Sequence, residues 1–155
     1  APREGKFEGA GFKGKAPFTV TKLTKNVPDE DEYMMTTIRS HDQFNTTIYG
    51  LNDRYRGIEN ERRVIFMNPA DMTRASFKDG EKVDLFNYHG GRERVARLFV
   101  VVPYNIPEGN TATYFPETNV LVPIDSVALK SNTPTSKLIF IKIKKHAGEE
   151  TRTKS

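Results

Sequence analysis

The segment Thr36–Thr47 (TTIRSHDQFNTT) concentrates hydrogen-bonding side chains at the exit of an apolar run, interrupted only by Phe44. Arg39 can present a planar fork to a phosphate or to the carbonyl edge of a heterocycle. His41, Gln43 and Asn45 each both donate and accept, which suits the mixed edges of a fused heterocycle, and Ser40 and Thr46 add hydroxyls. The same composition also suits a solvated loop whose Asn and Asp cap local turns, and composition does not separate the two. A second cluster is Asn68-Pro69-Ala70-Asp71. It reads first as a helix start, with Asn68 as N-cap and Pro69 at the first helical position, where its missing N–H costs nothing. A helix start also attracts anions, and an acidic residue there can meet a ribose hydroxyl or a guanine edge. The third cluster runs from Thr118-Asn119 to Ser131, Thr133, Ser136 and Lys137, a long polar stretch around the apolar insert Val120–Val122. Long loops of this kind are usually functional, and the insert implies that this one packs down.

Catalytic patterns are missing by contrast. His41, His89 and His146 are the only histidines and stand in three unrelated contexts, with no metal-ligand spacing among them. No Ser sits in a nucleophile elbow, and no Gly-rich loop matches a phosphate-cradling fingerprint. Asp125 lacks a partner carboxylate and reads as a turn cap. With no cysteine, disulfides, thiolate ligands and a Cys nucleophile are excluded. The residues therefore predict binding, with no catalysis by this chain alone.

The elements that must carry these clusters are short and β-branched. Strands are predicted at Tyr33–Ile38, Val64–Met67, Val83–Tyr88, Val95–Val102, Thr111–Phe115 and Leu138–Ile143. One helix of about two turns is predicted from Asn68, ending before Asp79-Gly80. Many short strands with Pro/Gly punctuation and one short helix predict a mainly β barrel. A faint internal echo supports it: Lys78-Asp79-Gly80 and Pro107-Glu108-Gly109 each lead through a glycine turn into a strand. Residues 1–17, rich in Gly, Lys and Pro, are expected to form a linker or arm, residues 18–144 the folded body, and 145–155 a polar tail.

The whole chain has 155 residues, 36% of them apolar and 28% charged, enough for one domain. Its net charge of +4 is common on ordinary proteins and also fits a phosphate-binding surface. A stand-alone nucleic-acid-binding barrel is the alternative that the pI and the stretch Arg92–Arg97 suggest. Against it, Glu61 and Glu93 interrupt the basic patches and no aromatic stacking motif appears. A decarboxylase or protease on a similar barrel lacks paired carboxylates or a self-processing motif. No stretch is long and apolar enough to span a membrane, and no membrane partner is expected.

Taken in order, four blocks resemble one family. They are TTIRSHDQFNTTIYGLNDRYRGI, RRVIFMNPADM, DGEKVDL and VVPYNIPEGNTATYFPETNVLVPIDSVALKSNTPTSK. They resemble the C-terminal molybdopterin-dinucleotide-binding domain of the molybdopterin oxidoreductases, and most of all the soluble formate-dehydrogenase-like alpha-subunit branch. The resemblance covers about Pro17 to Lys144. It implies a six-stranded double-psi β-barrel with one or two short helices, which closes over bis-molybdopterin guanine dinucleotide, carrying molybdenum or tungsten and bound mainly by other domains. It implies that Arg39, Ser40, His41, Gln43, Asn45 and Thr46 contact the pterin and phosphate region. Asn68 and Asp71 are then expected near one guanine and ribose, and Asn119, Ser131, Thr133, Ser136 and Lys137 near the other pterin. The metal-ligating residue and any iron–sulfur cysteines belong to other domains of the same oxidoreductase chain, which are the expected partners. The chain, starting at Ala1, is expected to be a piece of a longer cytoplasmic protein, with formate the substrate class by analogy.

Overall fold

A computed structural model describes residues 8–9, 12–13, 18, 20, 22–23, 25–129 and 131–148. Most of the expected arm over 1–17 lies outside these residues, as does the tail from 149 onward; within the arm only β1 (Glu8–Gly9) and β2 (Phe12–Lys13) are described, paired antiparallel. The body contains β3 (Tyr33–Ile38), β4 (Gln43–Phe44), β5 (Thr47–Ile48), β6 (Val64–Met67), α1 (Pro69–Arg74), β7 (Lys82–Asn87), β8 (Arg94–Pro103), β9 (Asn110–Tyr114) and β10 (Ile139–Lys145). Six of these close a barrel in the order β10-β3-β9-β6-β8-β7, the mainly β fold that the sequence predicts.

Two parallel pairs, β3 with β9 and β6 with β8, sit inside an otherwise antiparallel barrel. Because β6 runs antiparallel to β9, the pairs point in opposite directions. One end of the barrel therefore receives the C-termini of β3 and β9, and the other those of β6 and β8. Along β3 the side chains of Tyr33, Met35 and Thr37 are buried, alternating with half-buried neighbours, the period of a strand with one face inward. β6 has no such alternation: all of Val64–Met67 is buried. Ile65 and Met67 join the inner core with Met35, Leu85, Phe99 and Ile141. Val64 and Phe66 join a second cluster with Ile58, Ala112 and Tyr114. The chain between β3 and β6 thus folds back to cover a second face of that strand.

The glycine turns are present as predicted, Gly80 before β7 and Gly109 before β9, both with left-handed φ (77° and 74°). Asn68 caps α1 by accepting from the Ala70 amide at 2.8 Å. The insert Val120–Val122 packs down through Leu121, which is fully buried in the inner core. β10 runs further than the apolar pattern predicts, through Lys145, which pairs with Val83 and forms an ion pair with Glu81 at 2.9 Å. His146 continues the attachment: its amide donates to Lys82 O, and its Nδ1 lies 2.9 Å from a carboxylate oxygen of buried Asp84. Among the described residues no helix is long and apolar enough to cross a membrane.

Candidate functional site

The excursion from Arg39 to Arg63 is held down by two arginine–carboxylate pairs, and they differ in what remains of each arginine. Arg62, 6% exposed, donates from Nε to Glu117 at 2.5 Å and from Nη1 to Ser40 Oγ at 2.6 Å. Its Nη2 serves Gln43 Oε1 at 3.0 Å, Phe115 O at 3.0 Å and the other Glu117 oxygen at 3.2 Å. The guanidinium also lies 5.0 Å from the Tyr114 ring centroid, a cation–π contact. Every nitrogen of Arg62 has an acceptor.

The second pair joins Arg56 to Asp53. Asp53 is buried and takes hydrogen bonds from the Tyr114 hydroxyl at 2.7 Å, from Arg56 Nη1 at 2.5 Å and from the Tyr55 amide at 3.2 Å. The turn around it is set by a bridge between Asp53 and Ile58, with Gly57 supplying a left-handed φ of 68°. Burial pushes the Asp53 carboxyl up, but the bonds from Tyr114 and Arg56 and the arginine charge outweigh it and hold the carboxyl below the usual range. The Tyr114 hydroxyl is pushed up in turn, by burial and by the carboxylate it serves. Arg56 also donates from Nη1 to Arg39 O at 3.3 Å.

Arg39, Arg56, Ser136 and Lys137 line one cleft of about 540 Å³ with Thr37, Ile38 and Phe115. It opens at the barrel end that receives the C-termini of β3 and β9. Lys137 is placed there by backbone: its Nζ donates to Thr37 O, and Ser136 O accepts from the Thr37 amide at 3.1 Å. Three cationic side chains and a hydroxyl converge here beside the apolar Ile38 and Phe115, a donor set that fits phosphate or the oxygen-rich edge of a polar ligand.

The structure sorts the sequence-predicted residues into groups. Arg39, Ser136 and Lys137 meet in this cleft. Ser40 and Gln43 are buried and turned inward: Gln43 Nε2 donates to Phe115 O at 2.8 Å while Ser40 Oγ and Gln43 Oε1 both accept from Arg62. His41 packs edge-on against Tyr55, with ring centroids 4.2 Å apart, and its Nε2 lies 3.4 Å from Asp42. Asn45 and Thr46 form the exposed tip of the β4–β5 hairpin, Asn45 with the left-handed φ of 52° that asparagine tolerates in such turns. Asn119 opens a short 3-10 turn just beyond Phe115, and Ser131 and Thr133 lie on the exposed loop before β10.

Asn68 and Asp71 stand at the opposite end of the barrel. Met67 pairs with Thr111, whereas Tyr114, at the far end of β9, pairs with Ile38, so roughly a strand's length separates them from Arg39. Their polar atoms are engaged there. Asn68 Nδ2 donates to Ile106 O at 2.6 Å, and Asp71 accepts from the Gly109 amide at 2.7 Å and pairs with Arg74. The residues that sequence reasoning misses are Arg56, Arg62, Asp53, Tyr114 and Glu117. The only local signal is the pattern Arg54-Tyr55-Arg56-Gly57, two cations in a tight turn. Among the described residues no group of three His, Asp, Glu or Cys side chains could hold a metal.

Comparison with known proteins places this geometry. Residues 33–151 match the family model described as "Molydopterin dinucleotide binding domain", and the chain belongs to that family. An "Uncharacterized oxidoreductase" of Mycobacterium tuberculosis is 49% identical over 135 residues, covering 84% of this chain and 17% of the relative. "Protein YdeP" of Escherichia coli (strain K12) is 38% identical over 137 residues, covering 84% of this chain and 18% of the relative. The chain thus spans less than a fifth of the length of these curated relatives. Among solved structures, Acetylene Hydratase from Pelobacter acetylenicus shares the fold with a TM-score of 0.53 at 14% identity, over 74% of this chain and 18% of that one.

Proposed function

We propose that this molybdopterin dinucleotide-binding domain closes over its cofactor with the barrel end that carries Arg39, Ser136 and Lys137. The supporting observation is the convergence of those side chains on one cleft, with Thr37 and Lys137 joined although they are 100 residues apart. Here Arg39 and Lys137 bind and orient oxyanions, and Ser136 donates to a polar edge. Ser40 and Gln43 hold the loop through Arg62, without contacting the ligand, and His41 acts as a packing and hydrogen-bonding partner of the loop. Asn68 and Asp71 belong to the architecture of the other end, because their polar atoms already serve the helix cap and the Gly109 turn. The donor set fits the group: a dinucleotide brings a pyrophosphate and polar ring edges, and the cleft offers cations and a hydroxyl. When bound, the cofactor supplies the redox chemistry, and this chain's residues supply binding and electrostatics.

On the resemblance, the cofactor is the bis guanine dinucleotide form with molybdenum or tungsten, held mainly by other domains of a longer, cytoplasmic, formate-dehydrogenase-like chain. Arg39→Ala in that longer protein is expected to lower bound metal and released guanine nucleotide while the domain's circular dichroism stays unchanged. Wild-type metal and nucleotide content would refute the reading. The 155-residue chain alone is expected to oxidise no formate.

A further inference from the structure

We infer that Arg56 is a third ligand-binding cation of the cleft and that Asp53 is the positioning residue that aims it. This rests on the reading of the cleft given above. Arg56 and Arg62 arise from the same excursion and both pair with a buried or largely buried carboxylate, yet only Arg62 has all its nitrogens occupied. The hydrogen bonds of Arg56 leave from Nη1 alone, so among the described residues its Nη2 and Nε have no acceptor. Its side chain is 26% exposed and lines the cleft beside Arg39 and Lys137.

The Asp53 carboxylate explains how the guanidinium can stand there. Three cations around one cleft repel each other, and the buried negative charge offsets that repulsion without reaching the ligand position itself. It also fixes Nη1, so the guanidinium plane is set before any ligand arrives. The Tyr114 hydroxyl, on the last residue of β9, ties that carboxylate to the barrel. A guanidinium fixed at one nitrogen with two nitrogens free suits a tetrahedral oxyanion, the chemistry of a phosphate group. Pre-setting a long side chain also reduces the entropy lost on binding.

The test titrates inorganic pyrophosphate into the 155-residue chain, followed by calorimetry and by backbone amide shifts. Saturable binding with shifts around Arg39, Arg56 and Lys137 is expected. Arg56→Gln is expected to weaken it by about tenfold or more, the loss of a charge-assisted contact. Arg54→Gln, two residues earlier in the same turn but stacked over Tyr55, changes it by less than about twofold. Asp53→Asn separates positioning from charge. It adds one unit of positive charge to the cleft, so simple charge summation predicts tighter binding, whereas a positioning role predicts weaker binding in a folded protein. Equal losses for Arg54→Gln and Arg56→Gln, or tighter binding by Asp53→Asn, overturn the inference. Should Asp53→Asn unfold, the Arg56→Gln and Arg54→Gln pair still decides the role of Arg56. If Arg39→Ala weakens binding and Arg56→Gln does not, this inference fails while the cleft reading stands. No saturable binding by the wild type overturns both.

Discussion

Replacing Arg62 by Met removes the guanidinium at the centre of the excursion while keeping a side chain of similar length to pack on Tyr114. Five hydrogen bonds go at once: two to Glu117 and one each to Ser40, Gln43 and Phe115 O. Taking away one partner of a buried ion pair costs about 3–5 kcal/mol, chiefly because the other charge is left without compensation. Glu117 keeps some water, with its side chain 15% exposed, which points to the lower end, about 3 kcal/mol. For a domain of this size each kcal/mol lowers the midpoint of thermal unfolding by about 2–4 °C, so a drop of roughly 6–12 °C is expected. Urea unfolding and a thermal scan of the 155-residue chain measure both. Glu117→Leu alone orphans the arginine in turn, but the double variant orphans neither charge and is expected to recover much of the loss. Amide exchange should rise at Ser40 and Gln43 before it rises in β3, since the loop is what the arginine holds. A loss below about 1 kcal/mol, or a double variant as unstable as the two singles summed, would show that the network contributes nothing cooperative.

Two further perturbations probe other parts of the same picture. The carboxyls of Asp53 and Asp84 are both held below their unfolded value near 4: burial pushes each up, and hydrogen bonds with neighbouring positive charge more than offset it. Such groups contribute stability above about pH 4 that is lost as the pH falls through their folded values, so Asp53→Asn should flatten the fall in unfolding free energy on acidification; an unchanged acid limb refutes this. Asn68→Ala removes the helix cap and the tie to Ile106 O, about 2 kcal/mol together. Because it acts at the far end of the barrel, pyrophosphate affinity should stay the same, and a tenfold loss of that affinity would place Asn68 in the ligand site after all.

The strands were legible because short β-branched and aromatic runs bounded by turn residues are written locally, whether one face is buried, as in β3, or both, as in β6. β3 and β6 have the predicted bounds, and Asn68-Pro69 announced α1 through the chemistry of a helix start. β4 and β5, two residues each, are too short to leave any periodicity. The direction in which a polar side chain points was not legible. Arg39, Ser40 and Gln43 look alike in composition, yet one lines the cleft and two turn inward. Arg62 decides this, and its partners stand as many as 55 residues away. The same is true of Arg56, whose role depends on a carboxylate three residues back and a hydroxyl from β9. A buried arginine and an exposed one have the same signature in sequence; only the acceptors around them differ.

That difference also distinguishes the two ends of the barrel, which topology alone leaves equivalent. Each end receives the C-termini of one parallel pair, and each has a long or capped connection above it. Their charges are unlike. Around the exits of β6 and β8, Asp31, Glu32, Asp71, Tyr33 and Glu108 surround a single arginine, Arg74, and burial together with the Asp71 charge pushes the Tyr33 hydroxyl up. An anion approaching that end meets carboxylates. Around the exits of β3 and β9, the carboxylates of Asp53 and Glu117 are largely buried and already paired, while Arg39, Arg56 and Lys137 face the cleft. The net charge of +4 could be spread in many ways, and an even spread would steer nothing. With Asp53 and Glu117 largely buried and paired beneath one end, and Asp31 and Glu108 exposed at the other, the fold leaves the free cationic side chains of the cleft on one face, and that polarity follows from where two arginines find their carboxylates.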